Sequence, residues 1–312
     1  MPLDLKSRIY KAQTVGNIEP IEHMIPYPNL RSLIDGQNIK YGERVVYKDH
    51  NLTSNIIYDK AQQIANWLQS KGIQPRDRVL VKPMAFPLNV IIPFGIWTLG
   101  ASIVIDNDDD TEKAFKKTNS KIVLENDKII NESEKFPTHY EPRYKPLLED
   151  EAAVLIKNDI GYQYSNYNLL VNTNGILQEI DLFSDQSYFV NLKANSMPWL
   201  ILQVILPLYS GSTIDSQNPT ITIGNKDSDF LINEKWNTIK ETNPPTIYAC
   251  SENTAFLAIN KKPIHLTEIS ENQRPLFIKG HSVMMGYLDE EQSDRAYKNN
   301  ALYICLLYTS DA

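Results

Sequence analysis

The residues able to do chemistry fall in a few places. Asp106, Asp108, Asp109 and Asp110 gather in one short stretch, a set of oxygens that a metal ion could use. Thr111 and Glu112 then open a helical pattern, and acids collect at helix starts because exposed N–H groups favour them. The cluster therefore reads as a solvated turn. His23, His50, His139, His265 and His281 are scattered, with none at metal-ligand spacing from another. Cys250 and Cys305 are the only cysteines, which excludes a disulfide framework and a cysteine-rich metal site. No G-x-x-x-x-G-K-[ST], G-x-G-x-x-G or G-x-S-x-G run occurs, and no Ser-His-Asp arrangement can be nominated. Ser251 and Glu252 close an apolar run that reads as a strand end, and Gly280 and Gly286 mark two tight turns around Val283 and Met285.

The elements that must position these groups follow from periodicity. A helix after Asn29 and a strand through Val45 to Lys48 come first. Tyr58, Ala61, Ala65 and Leu68 recur at helical spacing, with Ser54 or Asn55 as N-cap and Gly72 as the stop. Arg78 to Lys82 reads as a buried strand, and Lys121 to Glu125 as another of the same sheet. Glu151 to Asn158 is a further strand; a helix ends over Ile176 to Leu182, a strand covers Tyr188 to Leu192, and Trp199 to Leu208 is a buried helix. Strand, helix, strand in this rhythm predicts an α/β fold of mostly parallel sheets flanked by helices. Two uncharged spans, Ala85 to Ile105 and Ala194 to Ile214, approach the length of a bilayer crossing. Pro87, Pro93, Gly95 and Gly100 interrupt the first and Pro198, Pro207 and Gly211 the second, so each reads as helix, turn and strand, not as a membrane span.

With 312 residues and 42% apolar content the chain can bury one large core or two modest ones. A net charge of -7 and a pI near 5.4, without a basic stripe, argue against nucleic-acid binding. The start, MPLDLKSRIYKAQ, has no apolar core of signal-peptide length, and a cytoplasmic location is the natural expectation.

The stretch Arg274 to Ile304, RPLFIKGHSVMMGYLDEEQSDRAYKNNALYI, resembles the G-E-L-x-I-x-G-x-x-V-x-x-G-Y-L segment of adenylate-forming enzymes: acyl-CoA and aryl-CoA synthetases, luciferases and peptide-synthetase adenylation domains. The match is carried by Leu276, Ile278, Gly280, Val283, Gly286, Tyr287 and Leu288, with Arg274 and Pro275 in place of Gly-Glu. Gly72, Asp77, Arg78 and Val79 resemble the family's G-[VI]-x-x-G-D-R-V, with Arg76 where glycine is usual, and Leu99, Gly100, Ala101 and Val104 resemble its G-A-x-x-V turn. Tyr248 to Glu252 matches Y-[GA]-x-[TS]-E. The resemblance implies that the Tyr248 ring stacks on adenine, that Ser251 touches phosphate and that Glu252 holds Mg2+, with ATP as cofactor and coenzyme A as acceptor.

The family's phosphate loop, T-S-G-[ST]-T-G-x-P-K-G, is the main departure. Gly161 falls on its last glycine and Ser165 on the hydroxyl residue of the following motif, leaving both facing nucleotide by resemblance, but Ile160 takes the lysine position and the Ser/Thr/Gly core is absent. Such loops need positive φ angles and hydroxyls to wrap phosphates. Residues 215–247, only 33 in number, stand where the family places several βα units around an acyl pocket, so most of that pocket is expected to be missing and the acyl substrate class is not readable. The final CLLYTSDA resembles a sequencing-adaptor translation, so residues 305–312, Cys305 and Asp311 included, are expected to be foreign to the natural chain, and the lysine-bearing C-terminal lid domain is expected to be missing. The expected organisation is a first α/β subdomain over 1–150 and a shortened second one over 151–304.

Two functions fit. One is a divergent AMP-dependent ligase that adenylates a small carboxylic acid. The other is a non-catalytic descendant serving as a binding or regulatory module beside a protein partner. An unrelated α/β protein would instead keep Gly280 and Gly286 far from Glu252.

Overall fold

The computed structural model describes residues 3–21, 23, 25–126, 128–224, 227–270 and 276–304. Arg274, Pro275, Cys305 and Asp311 lie outside the described residues. In chain order, α1 (Leu5–Ala12) and α2 (Leu30–Tyr41) precede β1 (Val45–Tyr47), β2 (Leu52–Thr53) and α3 (Ser54–Ser70). Next come β3 (Arg78–Val81), α4 (Leu88–Leu99), β4 (Ser102–Asp106), α5 (Thr111–Thr118), β5 (Ile122–Leu124) and α6 (Lys128–Ser133). The middle holds β6 (Glu151–Lys157), β7 (Ile160–Ser165), α7 (Asn166–Ile180), β8 (Ser187–Val190), α8 (Met197–Trp199), α9 (Leu206–Ser210) and β9 (Thr213–Ile214). Then follow β10 (Ile221–Gly224), β11 (Phe230–Asn233), β12 (Thr246–Ala249), β13 (Phe256–Ile259), β14 (Lys262–Pro263), β15 (Thr267–Ile269), β16 (Leu276–Gly280), β17 (Gly286–Tyr287), α10 (Glu290–Ala296), β18 (Tyr297–Lys298) and β19 (Ala301–Ile304).

Among the described residues the strands form three sheets, ordered β17-β7-β6-β4-β3-β5, β14-β13-β12-β11-β10-β8-β9-β1-β2 and β15-β16-β19-β18. The first runs parallel from β5 through β6 and the second from β12 through β1, with antiparallel strands only at their margins. The third is antiparallel throughout. Each large sheet draws strands from both sides of residue 150.

Local sequence explains the main elements. In α3, Ile57, Ala61, Ile64, Ala65 and Leu68 are fully buried along one face, the spacing a core-facing helix needs, and Gly72 follows it at φ +86°. The N-cap is Thr53, ahead of the expected Ser54 or Asn55, because the β2 strand runs directly into the helix and leaves both already helical. The first uncharged span is helix α4, a left-handed Gly100 and strand β4. The second is a helix whose turns widen over Leu200–Ile205, then a left-handed Gly211 and β9. Among the described residues no helix is long and apolar enough to cross a membrane. Arg76, where the resemblance has glycine, takes φ +70°, so the turn keeps the geometry that glycine favours.

Candidate functional site

Strands β6 and β7 are joined by Asn158 and Asp159 alone. Both are left-handed, at φ +52° and +59°, the two-residue hairpin turn whose twist matches antiparallel strands. Asp108, from the loop after β4, accepts hydrogen bonds from the Asn158 and Asp159 amides, 2.7 Å each, one on each carboxylate oxygen. Asp159 in turn pairs with Lys117 at 2.9 Å and Lys113 at 3.0 Å on α5, and their hydrogen bonds hold its carboxyl below the usual range. Asp110 caps α5 through the Lys113 amide. The acidic stretch is thus spent on a turn and a helix start, and the place of the expected glycine loop is taken by a closed hairpin.

Two candidates lie just beyond it. Gly161 pairs with Ile156 across the hairpin, and its carbonyl accepts from the Leu288 amide at 2.8 Å. A β-carbon there would run into the Leu288 side chain, so the missing side chain lets Leu288 lie on the strand. Ser165 is buried and caps α7: its Oγ accepts from the Asn168 amide at 3.1 Å while Asn168 Oδ1 accepts from the Ser165 amide at 3.1 Å, a reciprocal capping box.

At the end of β12, Tyr248 is only 2% exposed. Its ring meets Trp236 edge to face at 5.7 Å, and its hydroxyl donates to the Lys240 carbonyl and accepts from the Lys240 amide. The half-buried Ser251 receives the Tyr164 hydroxyl on its carbonyl at 2.9 Å. The Glu252 carboxylate has long contacts of 3.5 Å to Cys250 Sγ and to the Tyr287 hydroxyl. Burial pushes its pKa up, and Lys157 pulls only partly the other way. Burial likewise raises the Cys250 thiol, with Glu252 adding to it.

The two motif segments converge here. The Glu252 carbonyl accepts from the Met284 amide at 3.1 Å, and Thr254 Oγ1 donates to the Ser282 carbonyl at 2.6 Å. An arrangement with Gly280 and Gly286 on a separate lobe is thereby excluded. A crevice opens at the C-terminal ends of β4, β6 and β12, lined in part by Asn107, Lys157, Ser196, Glu234 and Ser251, the end of a parallel sheet where ligands commonly sit. Lys157 and Glu234 face each other there at 3.7 Å. Its free volume is about 10 Å³, roughly what a single water needs.

Solved structures share this architecture. O-succinylbenzoate coenzyme A synthetase from Bacillus subtilis superposes with a TM-score of 0.74 at 13% identity, covering 88% of this chain and 75% of that one. The fold is that of adenylate-forming enzymes. An anthranilate CoA ligase in complex with anthranoyl-AMP gives 0.74 at 14% identity, over 90% of this chain and 74% of the ligase. An adenylation–carrier di-domain from Klebsiella oxytoca gives 0.72 at 13%, with this chain spanning 65% of it. No family model matches the sequence, and no curated protein does either.

The residues present do not fit Mg-ATP within this adenylation fold. Both amides of the turn are taken by Asp108, so no anion nest is open there. Tyr248 is packed against Trp236 with its hydroxyl engaged, and the crevice is far below the roughly 300 Å³ at which ligand pockets begin. Among the described residues no group of three His, Cys, Asp or Glu side chains is set to hold a metal ion.

The histidines are the feature that spacing did not reveal. His23, His265 and His281 come together, with ring centroids 5.3 Å apart for His23 and His265 and 6.3 Å for His23 and His281. Their separation along the chain leaves no local signal.

Proposed function

We propose that this chain is a non-catalytic protein of the adenylation fold, a binding or regulatory module that keeps the sheets without the chemistry. One observation carries this reading: the Asn158–Asp159 turn closed by Asp108. Adenylation requires donors that follow the charge developing on pyrophosphate, and a turn of two residues has no length to supply them. The expectation is no saturable binding of labelled ATP at millimolar concentration and no ATP–pyrophosphate exchange with any small carboxylic acid. A protein partner is the corresponding ligand class.

A second reading, a divergent ligase using ATP, Mg2+ and coenzyme A, is favoured by the position of Ser251 and Glu252 at strand ends beside Lys157. ATP binding that disappears in Glu252→Ala would establish that reading and overturn the first.

A further inference from the structure

The histidine cluster lies at the seam between the N-terminal segment and the body. His281 is fully buried. Its Nε2 is 3.1 Å from the Ile18 carbonyl and its Nδ1 2.6 Å from the Tyr167 hydroxyl. A carbonyl only accepts, so Nε2 carries a proton and, in the neutral ring, Nδ1 accepts from Tyr167. The rest of the segment is seated by a few polar contacts. Arg8 donates to the carbonyls of Asp294 and Tyr297 at 2.9 and 2.7 Å and pairs with the Asp294 carboxylate. Gln13 Nε2 donates to the carbonyls of Val283 and Met284 at 2.9 and 3.3 Å. Val15 and Ile18 bridge each other, Ile18 rests on His281, and His23 closes the run against His265.

We propose that these three histidines form a pH-sensitive latch that seats the N-terminal segment near neutrality and frees it as the pocket protonates. The groups meeting at His23 are His265 from the turn after β14 and His281 from the turn after β16. Tyr167 of α7 faces His281, and Glu19 belongs to the segment itself. Burial, and next the neighbouring His265, hold His23 below its ordinary value. The seated state therefore binds fewer protons than the freed one, and lowering the pH through the histidine range favours release. A proton on His23 puts a positive charge against the His265 ring, 5.3 Å away between centroids. Release removes Gln13 from the carbonyls of Val283 and Met284, and the Met284 amide is the group that bonds the Glu252 carbonyl.

Hydrogen exchange of the whole chain, corrected for intrinsic rates and read at about pH 7.5 and about pH 5.5, spans the histidine range and tests this. Residues 4–21 are expected to lose protection several-fold at the lower pH while β4 keeps its own. His23→Gln and His265→Gln flatten the difference, and His265→Lys frees the segment even at the higher pH with β4 still protected. Equal protection at both pH values overturns the latch. So does a parallel loss in β4, or an unchanged pH response in both glutamine variants.

Discussion

At the scale of single residues, Glu252 combines a carboxylate with a site that disfavours its charge. Its folded pKa lies above the unfolded one, so its favourable contribution is complete below the unfolded value of about 4.3 and is lost as pH rises through the folded value. Glu252→Gln should therefore gain stability over the parent as pH rises, with the two converging in acid, a trend read from urea midpoints across pH. Glycine positions divide just as clearly. Gly72 and Gly280 both hold positive φ, +86° and +150°, but a β-carbon at Gly72 meets open space whereas at Gly280 it strikes the Leu266 carbonyl and lies 3.0 Å from Thr267 Cα. Gly72→Ala is expected to cost about 1–2 kcal/mol from the backbone alone, and Gly280→Ala distinctly more, because β15 must move. Equal denaturation midpoints for the two variants would contradict this. The turns at Gly280 and Gly286 were legible from spacing, whereas the approach of their segment to Glu252 was implied only by the family resemblance. The burial of Tyr248 was not: its partner Trp236 sits in residues 215–247, where no period marks a neighbour.

At the scale of elements, the expected helix over Trp199 to Leu208 exists, yet its middle widens into a π turn over Leu200–Ile205. Pro207 is the cause at hand. It has no N–H, so it cannot donate to Gln203, four residues back, or to Leu202, five back. Tyrosine hydroxyls fill both places: Tyr47 donates to the Gln203 carbonyl and Tyr188 to the Leu202 carbonyl, each at 2.5 Å. Proline was visible in the sequence, but the two distant hydroxyls that make it tolerable were not. Tyr188 is fully buried, so Tyr188→Phe should leave an unpaired buried carbonyl and cost about 1–3 kcal/mol, measurable by chemical denaturation. Helix α3 tells the opposite story, since its buried face follows its own period residue by residue.

At the scale of the whole molecule, the chain weaves between sheets. It leaves the nine-stranded sheet after β2, builds the six-stranded one through β7, returns for β8 to β14, and adds β17 back to β7. Neither large sheet is complete without residues from distant parts of the sequence. Unfolding is expected as one transition, with Trp97 of α4 and Trp236 beside β12 reporting the same midpoint when each is the remaining fluorophore. Two separated transitions would show that the sheets fold independently. This interleaving was only partly readable, because parallel strand order is set by packing between elements and not by any local pattern.

The hairpin between β6 and β7 also sets the direction in which this protein can change. Substitutions at Asn158 or Asp159 alter the turn but leave its length and the Lys157–Ile160 register untouched. A longer loop arises only by inserting codons there, and the insert must also displace Asp108 from two amides. Single substitutions can change which residues form the turn but not how long it is, so the length of the chain at this place is locked against change by substitution.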